Sequence, residues 1–457
     1  MRRKLERGIA TLLITSVLLS IALVVTLGSY KTLFYQIKRA QNEVKSRQDH
    51  WLAEGGLECI YTKAVQDGVI PTASSIPECN IGSNTIVFTY EALAAMNNPT
   101  KVSSKVGYAG LSKNIVGSSS TSGYGAIKST SNLYFNGSNS INPDPSKKSE
   151  TENEWECRVA TFKGTLKIFG NLTNKGLVDT VKPSNDFPSG QRCQSGFQST
   201  LISSPTTENK DFVQDSKLDP FKDYFNTKRE SWFEVMKNKK FTKISSTSLT
   251  DSNGNIKYSQ DELPPPARVE NCGKKISDQI ANGHDLLWVY GSCHLSDSEL
   301  ATLGENVNAK TPTGVVIVSH NGLFTTKGAL RFKGLIYHFV SGKEVTDPST
   351  GEKNYQADFS PTESDWESRD SDTITDLNTL KSDLTGDMAH HSLSLSDIVY
   401  YQRGAFHPSG GYVMDAYGKA ALFNAALNLH FDSDAVSTPL SKINGKLKWQ
   451  EGSWNAN

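Results

Sequence analysis

The feature that most constrains this chain is a run of uncharged, mostly apolar residues near its amino end, from Ile9 to Leu27. At about 1.5 Å of rise per residue, such a helix just spans the roughly 30 Å of hydrocarbon in a bilayer. Arg2, Arg3, Lys4 and Arg7 precede it, a charge bias that keeps the amino end in the cytoplasm and sends the rest of the chain outward. No small-x-small cleavage site closes the run, so a conventional removable signal is disfavoured; Thr26, Leu27, Gly28 and Ser29 lead straight into more helical sequence. Leu33, Ile37, Ala40 and Val44 recur at helical spacing, and Leu52, Gly56, Ile60 and Ala64 resume a seam beyond a polar interval at Arg47–Asp49. No proline interrupts Ile9 to Gln66, which predicts a helix of about 58 residues and on the order of 85 Å. Half of that length serves something outside the bilayer.

The six cysteines, Cys59, Cys79, Cys157, Cys193, Cys272 and Cys293, all lie beyond the apolar run, as expected of a region exported to an oxidising space. Six cysteines admit many pairings, among which the sequential set, Cys59 with Cys79, Cys157 with Cys193 and Cys272 with Cys293, closes the shortest loops. No CxxC spacing is present, so metal and dithiol redox readings lose their usual signature. Lysine plus arginine equals aspartate plus glutamate, 48 of each, and this balance removes a nucleic-acid polymer as the principal partner.

An Arg-Gly ending a basic leader, an apolar helix directly after it, a charged second half and the stretch "WLAEGGLEC" at Trp51–Cys59 together resemble the amino-terminal domain of PilX-type minor pilins, which carry an "AEAGLE"-like sequence at this place. The resemblance covers roughly the first 65 residues, in this sequence alone. It implies that a prepilin peptidase cuts after Gly8 and makes Ile9 the first mature residue. It also implies that the helix, through Leu13, Leu33, Ile37, Val44, Leu52 and Gly56, packs against other subunits. Most pilins carry glutamate as the fifth mature residue; Leu13 stands there in this chain. A subunit without that carboxylate is similar to the tip subunit of type II secretion pseudopili, which has no subunit beyond it to pair with.

Beyond the helix, serine, asparagine, glycine and threonine dominate Met96–Ser149, which reads as long loops joining thin strands. Strand patterns occur at Ile86–Tyr90 and at Cys157–Leu172, the latter read as a strand pair with glycine turns. Asp219 and Pro220 are an N-cap and first-turn proline for one helix whose Phe221, Tyr224, Phe225, Trp232, Val235 and Met236 fall near one face and dock on a core. Three prolines in "LPPPARVENC" at Leu263–Cys272 mark a stiff linker. After them Gly314, Gly322, Gly328 and Gly334 recur every six to eight residues between apolar runs, the rhythm of stacked short strands in a small solenoid or a meander. A "W..GSW" ending, Trp449 to Trp454, also occurs among PilX-like proteins.

Candidate chemistry is sparse. No GxSxG, HExxH or Walker loop is present. His390 and His391 lie close to Asp387, but adjacent side chains diverge and make a poor metal site. "DSNGNIKYSQDE" puts Asp251, Asn253, Asn255 and Glu262 at calcium-loop offsets, yet Ile256 occupies the position that requires glycine, and an Asn-Gly turn explains the same residues. Lys237, Lys239, Lys240 and Lys243 form a basic patch without a following run of stacking aromatics.

The expected fold is α+β: a leader (1–8), a transmembrane and assembly helix (9–66), a first β-rich head region with an inserted helix (67–262), and a second, glycine-punctuated region (263–457) that is partly solenoid-like. The expected function is that of a non-enzymatic minor pilin without a cofactor, at the tip of a type IV pilus. Its expected partners are other minor pilins and the major pilin, the inner membrane before assembly, the prepilin peptidase and a tip adhesin, with DNA disfavoured. Two readings compete: the tip pseudopilin of a type II secretion system, and a permanently anchored surface binding protein or hydrolase.

Overall fold

The structure is a computed structural model that describes residues 2–67, 70–71, 73–82, 84–92, 100–116, 125–143, 147–148, 153–177, 190–203, 209–346, 348, 351, 353–367, 374–424, 427–444, 448–450 and 452–456. It is α+β, a long helix followed by several sheets, and it divides into two compact units. The first comprises Met1–Gly117 with Leu447–Asn457, and the second is Ser118–Lys446. This division differs from a boundary at the prolines, because strands on both sides of Pro264–Pro266 belong to one sheet of the second unit.

The first unit is built on helix α1 (Arg2–Asp67). Strands β1 (Val87–Ala92), β2 (Thr100–Val106) and β3 (Ala109–Val116) form an antiparallel meander. Gly107 takes the left-handed backbone needed at the tight β2–β3 turn. The meander is completed from the far end of the chain, where Lys448–Trp449 and Asn455–Ala456 each pair with β3. Its core joins Ala53, Leu57 and Ile60 of α1 to Phe88, Val102, Leu111 and Ile115 of the sheet.

The second unit is a stack of parallel coils. One sheet has the order β8 (Phe212–Gln214), β6 (Ala160–Phe162), β4 (Ile127–Ser129), β16 (Tyr412–Asp415), β14 (Gly334–Phe339), β12 (Val315–His320), β10 (Leu286–Tyr290), β9 (Thr242–Ser245), every neighbour parallel. A facing sheet runs β7 (Leu166–Asn174), β5 (Asn132–Asn142), β17 (Ala420–Asn424), β15 (Ile398–Arg403), β13 (Phe324–Lys327), β11 (Cys293–Leu295), also parallel. Thr200–Leu201 adds antiparallel to β7. Within a coil the chain passes from the first sheet to the second through a short corner, so Ile127, Leu133, Val289, Ile317, Phe324, Ile336, Tyr400, Met414 and Phe423 share one interior.

The stacking explains two members of the glycine rhythm, Gly322 and Gly334, whereas Gly314 is crowded by Ala435 and Gly328 by Asp297. A Cβ on Gly322 would lie 2.2 Å from the Gly291 carbonyl carbon of the neighbouring corner, so the coils could not close to strand spacing. The solenoid expectation thus has a physical basis in parallel pairing, but its order departs from the chain order. β4 and β5 pair with β16 and β17, which places the first coil formed beside the last.

Three sequence expectations are corrected here. β6 and β7 were expected to form a hairpin-like pair within Cys157–Leu172; they lie in different sheets, each bonded to a coil neighbour. Asn132–Asn142, expected as loop with a thin strand, is an eleven-residue strand; parallel neighbours satisfy its backbone, and Asn139 Nδ2 donates to the carbonyls of Asn136, Gly137 and Asn171. The single helix expected after Asp219 is two, α2 (Pro220–Phe225) and α3 (Trp232–Lys237), because Asn226 adopts a left-handed backbone that ends the first. Asp219 does cap α2, accepting from the Lys222 amide at 3.1 Å.

Two covers complete the unit. α2 and α3 lay Phe221, Tyr224, Phe225, Phe233 and Met236 over Trp288, Val318, Tyr337 and Phe339 on the outer face of the first sheet. Helix α4 (Ile374–His391) lays Leu377, Leu380 and Leu384 over Ile398, Tyr401 and Leu422 on the second.

Candidate assembly surface

The two halves of α1 have opposite environments. From Ile9 to Val44 its large apolar residues are exposed, including Leu13 at 61%, Leu33, Ile37 and Val44. From Asp49 onward one stripe disappears beneath the sheet: Asp49, Ala53, Gly56, Leu57, Ile60 and Ala64 are buried, the three-and-four spacing of one helical face. The helix is long and apolar enough to cross a membrane. Among the described residues nothing in the first unit covers its amino-terminal half.

The residues expected to act in assembly therefore separate into two groups. Leu13, Leu33, Ile37 and Val44 are free to meet another molecule, whereas Gly56 is buried and Leu52 packs against the unit's own core. Gly56 is needed for close approach, since a Cβ there would sit 2.5 Å from Ser104 Oγ and 2.9 Å from Ile86 Cγ2. The "AEGGLE" string is thus the docking site of this head on its own helix. Ala53 and Leu57 in the same string dock as well, a role that the spacing of Ala53 with Ile60 and Ala64 could have revealed. Replacing Gly56 by valine is expected to destabilise the first unit by about 1–3 kcal/mol through overpacking. Gly28, with nothing within 4 Å of an added Cβ, is the control: Gly28→Ala should leave the urea midpoint of that unit unlowered.

Polar and covalent ties fix the docked half. Cys59 bonds to Cys79 in the short helical turn Pro77–Cys79. Beside it Glu78, 3.5 Å from Lys63, is held below the usual carboxylate range by a backbone hydrogen bond and by the lysine charge. Lys113 Nζ bonds Glu58 at 2.9 Å and lies 5.0 Å from the Trp449 ring, which stacks on Tyr61. Trp454 meets His50 edge-on. A shallow groove follows the exposed flank, lined by Ile37, Ala40, Val44, Asp49, Leu52 and Asn84. The Gly8–Ile9 peptide lies within α1; Met1 falls outside the described residues.

The remaining candidates are dispersed. All six cysteines form the sequential pairs, Cys157–Cys193 and Cys272–Cys293 in the second unit. Asp251 accepts from the amides of Asn253 and Asn255, and Thr250 and Ile256 bridge across this Asn-Gly turn. Glu262 bonds Ser259 instead of facing Asp251. The Asn255 side chain, which donates to Asp251 at 3.1 Å, and then these amides hold the Asp251 carboxyl below the usual range, and the Ser259 hydroxyl does the same for Glu262. Asp387 accepts from Tyr401, Asn424 and Asn136, His391 meets Asn136, and His390 stacks on Phe169. Among the described residues no group of three His, Cys, Asp or Glu is placed to hold a metal. In the lysine patch Lys237 pairs with Glu234, and Lys243 donates to the Asn238 carbonyl at 2.7 Å, burial lowering its pKa to about 8.

No family model matches the chain, and no curated protein or solved structure matches it either.

Proposed function

We propose that this chain is a minor pilin of a type IV pilus, of the PilX type, that sits at the filament tip, primes assembly and presents its large head for adhesion or cargo uptake. The observation that carries this reading is the division of one continuous helix into an exposed apolar half and a half docked on its own head. A membrane anchor alone needs about 20 residues; the further exposed turns with Leu33, Ile37 and Val44 suit lateral packing against other helices, the partners being major and minor pilins. In the bilayer the first half is solvated by lipid, and on extraction its apolar surface is buried again between neighbouring helices. Leu13 supports the tip, because its side chain offers no carboxylate to the amine of a further subunit.

Determination of the mature amino terminus in cells with active prepilin peptidase tests the reading. The expected sequence begins at Ile9; an intact Met1 would overturn it in favour of a permanently anchored surface protein. Crosslinking from Ile37 and Val44 then identifies the neighbours, pilus subunits being expected and secretion pseudopilins the contrary result.

A further inference from the structure

On the outer face of the first sheet of the second unit, Tyr290, His320, Phe339 and Asp415 form one cross-strand row. The segment Pro220–Lys237, containing α2 and α3, covers it. Arg229 anchors this cover: its guanidinium bonds the fully buried Asp415 carboxylate, donates to the Val340 carbonyl at 2.7 Å and lies 4.8 Å from the Phe339 ring. Three residues later Trp232 sets its ring edgewise to His320 at 4.6 Å.

His320 is fully buried and poorly provided for. Its Nδ1 accepts from Trp288 Nε1 at 3.2 Å, and its Nε2 has no partner. The neutral ring therefore carries its proton on Nε2, and a second proton can enter only at Nδ1, where it meets the indole N–H head-on. The charged and titratable groups around it are Arg229 on the cover, Tyr290 on β10, His338 on β14 and Asp415 on β16. Asp415 is already taken by Arg229, Tyr337 and Thr130, so no free anion is available to an imidazolium.

We propose that Pro220–Lys237 is an acid-released cover: proton uptake by His320 sets a second cation beside Arg229 and a donor against the Trp288 donor, and the segment lifts to hydrate the ring, uncovering Trp288, Tyr290, Tyr337 and Phe339. Burial and the Arg229 charge hold the closed-state pKa of His320 well below the ordinary value. The ring titrates near 6.5 once solvated. Linkage makes the lifted state gain about tenfold over the closed one for each pH unit below about 6.5, until the closed-state value is reached. This inference does not depend on the pilin reading.

Hydrogen exchange of the full chain, corrected for the intrinsic pH dependence of exchange, tests it. Amides of 221–237 are expected to lose about tenfold protection per pH unit between pH 6.5 and 5 and to stay less protected throughout than those of β10, β12 and β14, which exchange only when the whole unit opens. His320→Phe, which keeps an aromatic ring without a titrating nitrogen, should abolish the pH dependence, with His320→Gln as a second neutral variant. Protection of 221–237 in the wild-type chain that is independent of pH, or that equals the sheet's at every pH, overturns the proposal. So does an undiminished pH dependence in either variant.

Discussion

Arg229→Ala is expected to lower the stability of the second unit by about 3–5 kcal/mol, the usual consequence of breaking a buried ion pair from one side. Asp415 has no solvent exposure. Without the guanidinium its carboxylate keeps only the hydroxyls of Tyr337, at 3.0 Å, and Thr130, at 2.8 Å. Two neutral donors do not compensate a buried anion, so either the charge is expelled by protonation or the unit loosens around it. The variant also removes the cation from the Phe339 and Tyr355 rings and leaves the Val340 carbonyl short of a donor. Urea unfolding read by near-UV circular dichroism measures the effect; a change under about 1 kcal/mol would show that Asp415 finds water or another donor at small cost. Arg229→Met combined with Asp415→Leu should recover part of the loss, but not all, since Tyr337 and Thr130 then lack their acceptor.

Acidification is expected to weaken the same unit by several kcal/mol between about pH 6.5 and 4. His338 faces the coil interior and His294 the outer side of the second sheet, between the inward Cys293 and Leu295; both are nearly or fully buried. His338 Nε2 donates to the Gly322 carbonyl at 2.9 Å, and His294 Nδ1 meets Thr325 Oγ1 at 2.7 Å; the other nitrogen of each has no partner. Burial lowers both to about 4, against about 6.5 in the unfolded chain. The unfolded state thus binds more protons across this window, so stability is complete above about pH 6.5 and is lost progressively down to about 4. At about 1.4 kcal/mol per pKa unit, each histidine contributes on the order of 3 kcal/mol. Asp219 and Asp432, held above the usual range by burial, act in the opposite sense and flatten the lower end. Urea midpoints at pH 7.5, 6.5, 5.5 and 4.5 provide the measurement. His338→Phe should shallow the slope, and a midpoint unchanged across the series would contradict the assignment.

The reach of sequence reasoning is clearest in α1. An uninterrupted periodic pattern predicts a helix from Ile9 to Gln66, and the helix runs Arg2–Asp67. Disulfide pairing follows the shortest loops because each pair joins segments that are already spatial neighbours through short connections. The glycine rhythm reflects stacking at Gly322 and Gly334, where a neighbouring coil leaves no room for a Cβ. The order of the coils was not legible: pairing β4 with β16 joins residues almost 300 positions apart, and no local pattern encodes a neighbour so distant. The helix Asp297–Lys310 was missed although Ser296 and Glu299 form a capping box at its start. Helix α4 is faint in the sequence for a different reason: its buried leucines, Leu377, Leu380 and Leu384, make a narrow stripe in an otherwise polar segment. Along α1, Leu13, Leu33, Ile37 and Val44 are exposed, but the helical spacing alone could not tell that Gly56 packs beneath the first unit's own sheet.

The pairing of β3 with the last strands of the chain has a consequence for biogenesis. Asn455 lies opposite Ser112, and the whole coil stack is threaded between them in sequence. As the chain is made from its amino end, the meander around α1 comes first but keeps an open edge until residues 448–456 follow the coil stack. A chain arrested or clipped anywhere in the stack keeps α1 and displays an unfinished sheet, a template for unwanted strand pairing. Completion of the amino-terminal unit thereby requires that the whole coil stack has already been made.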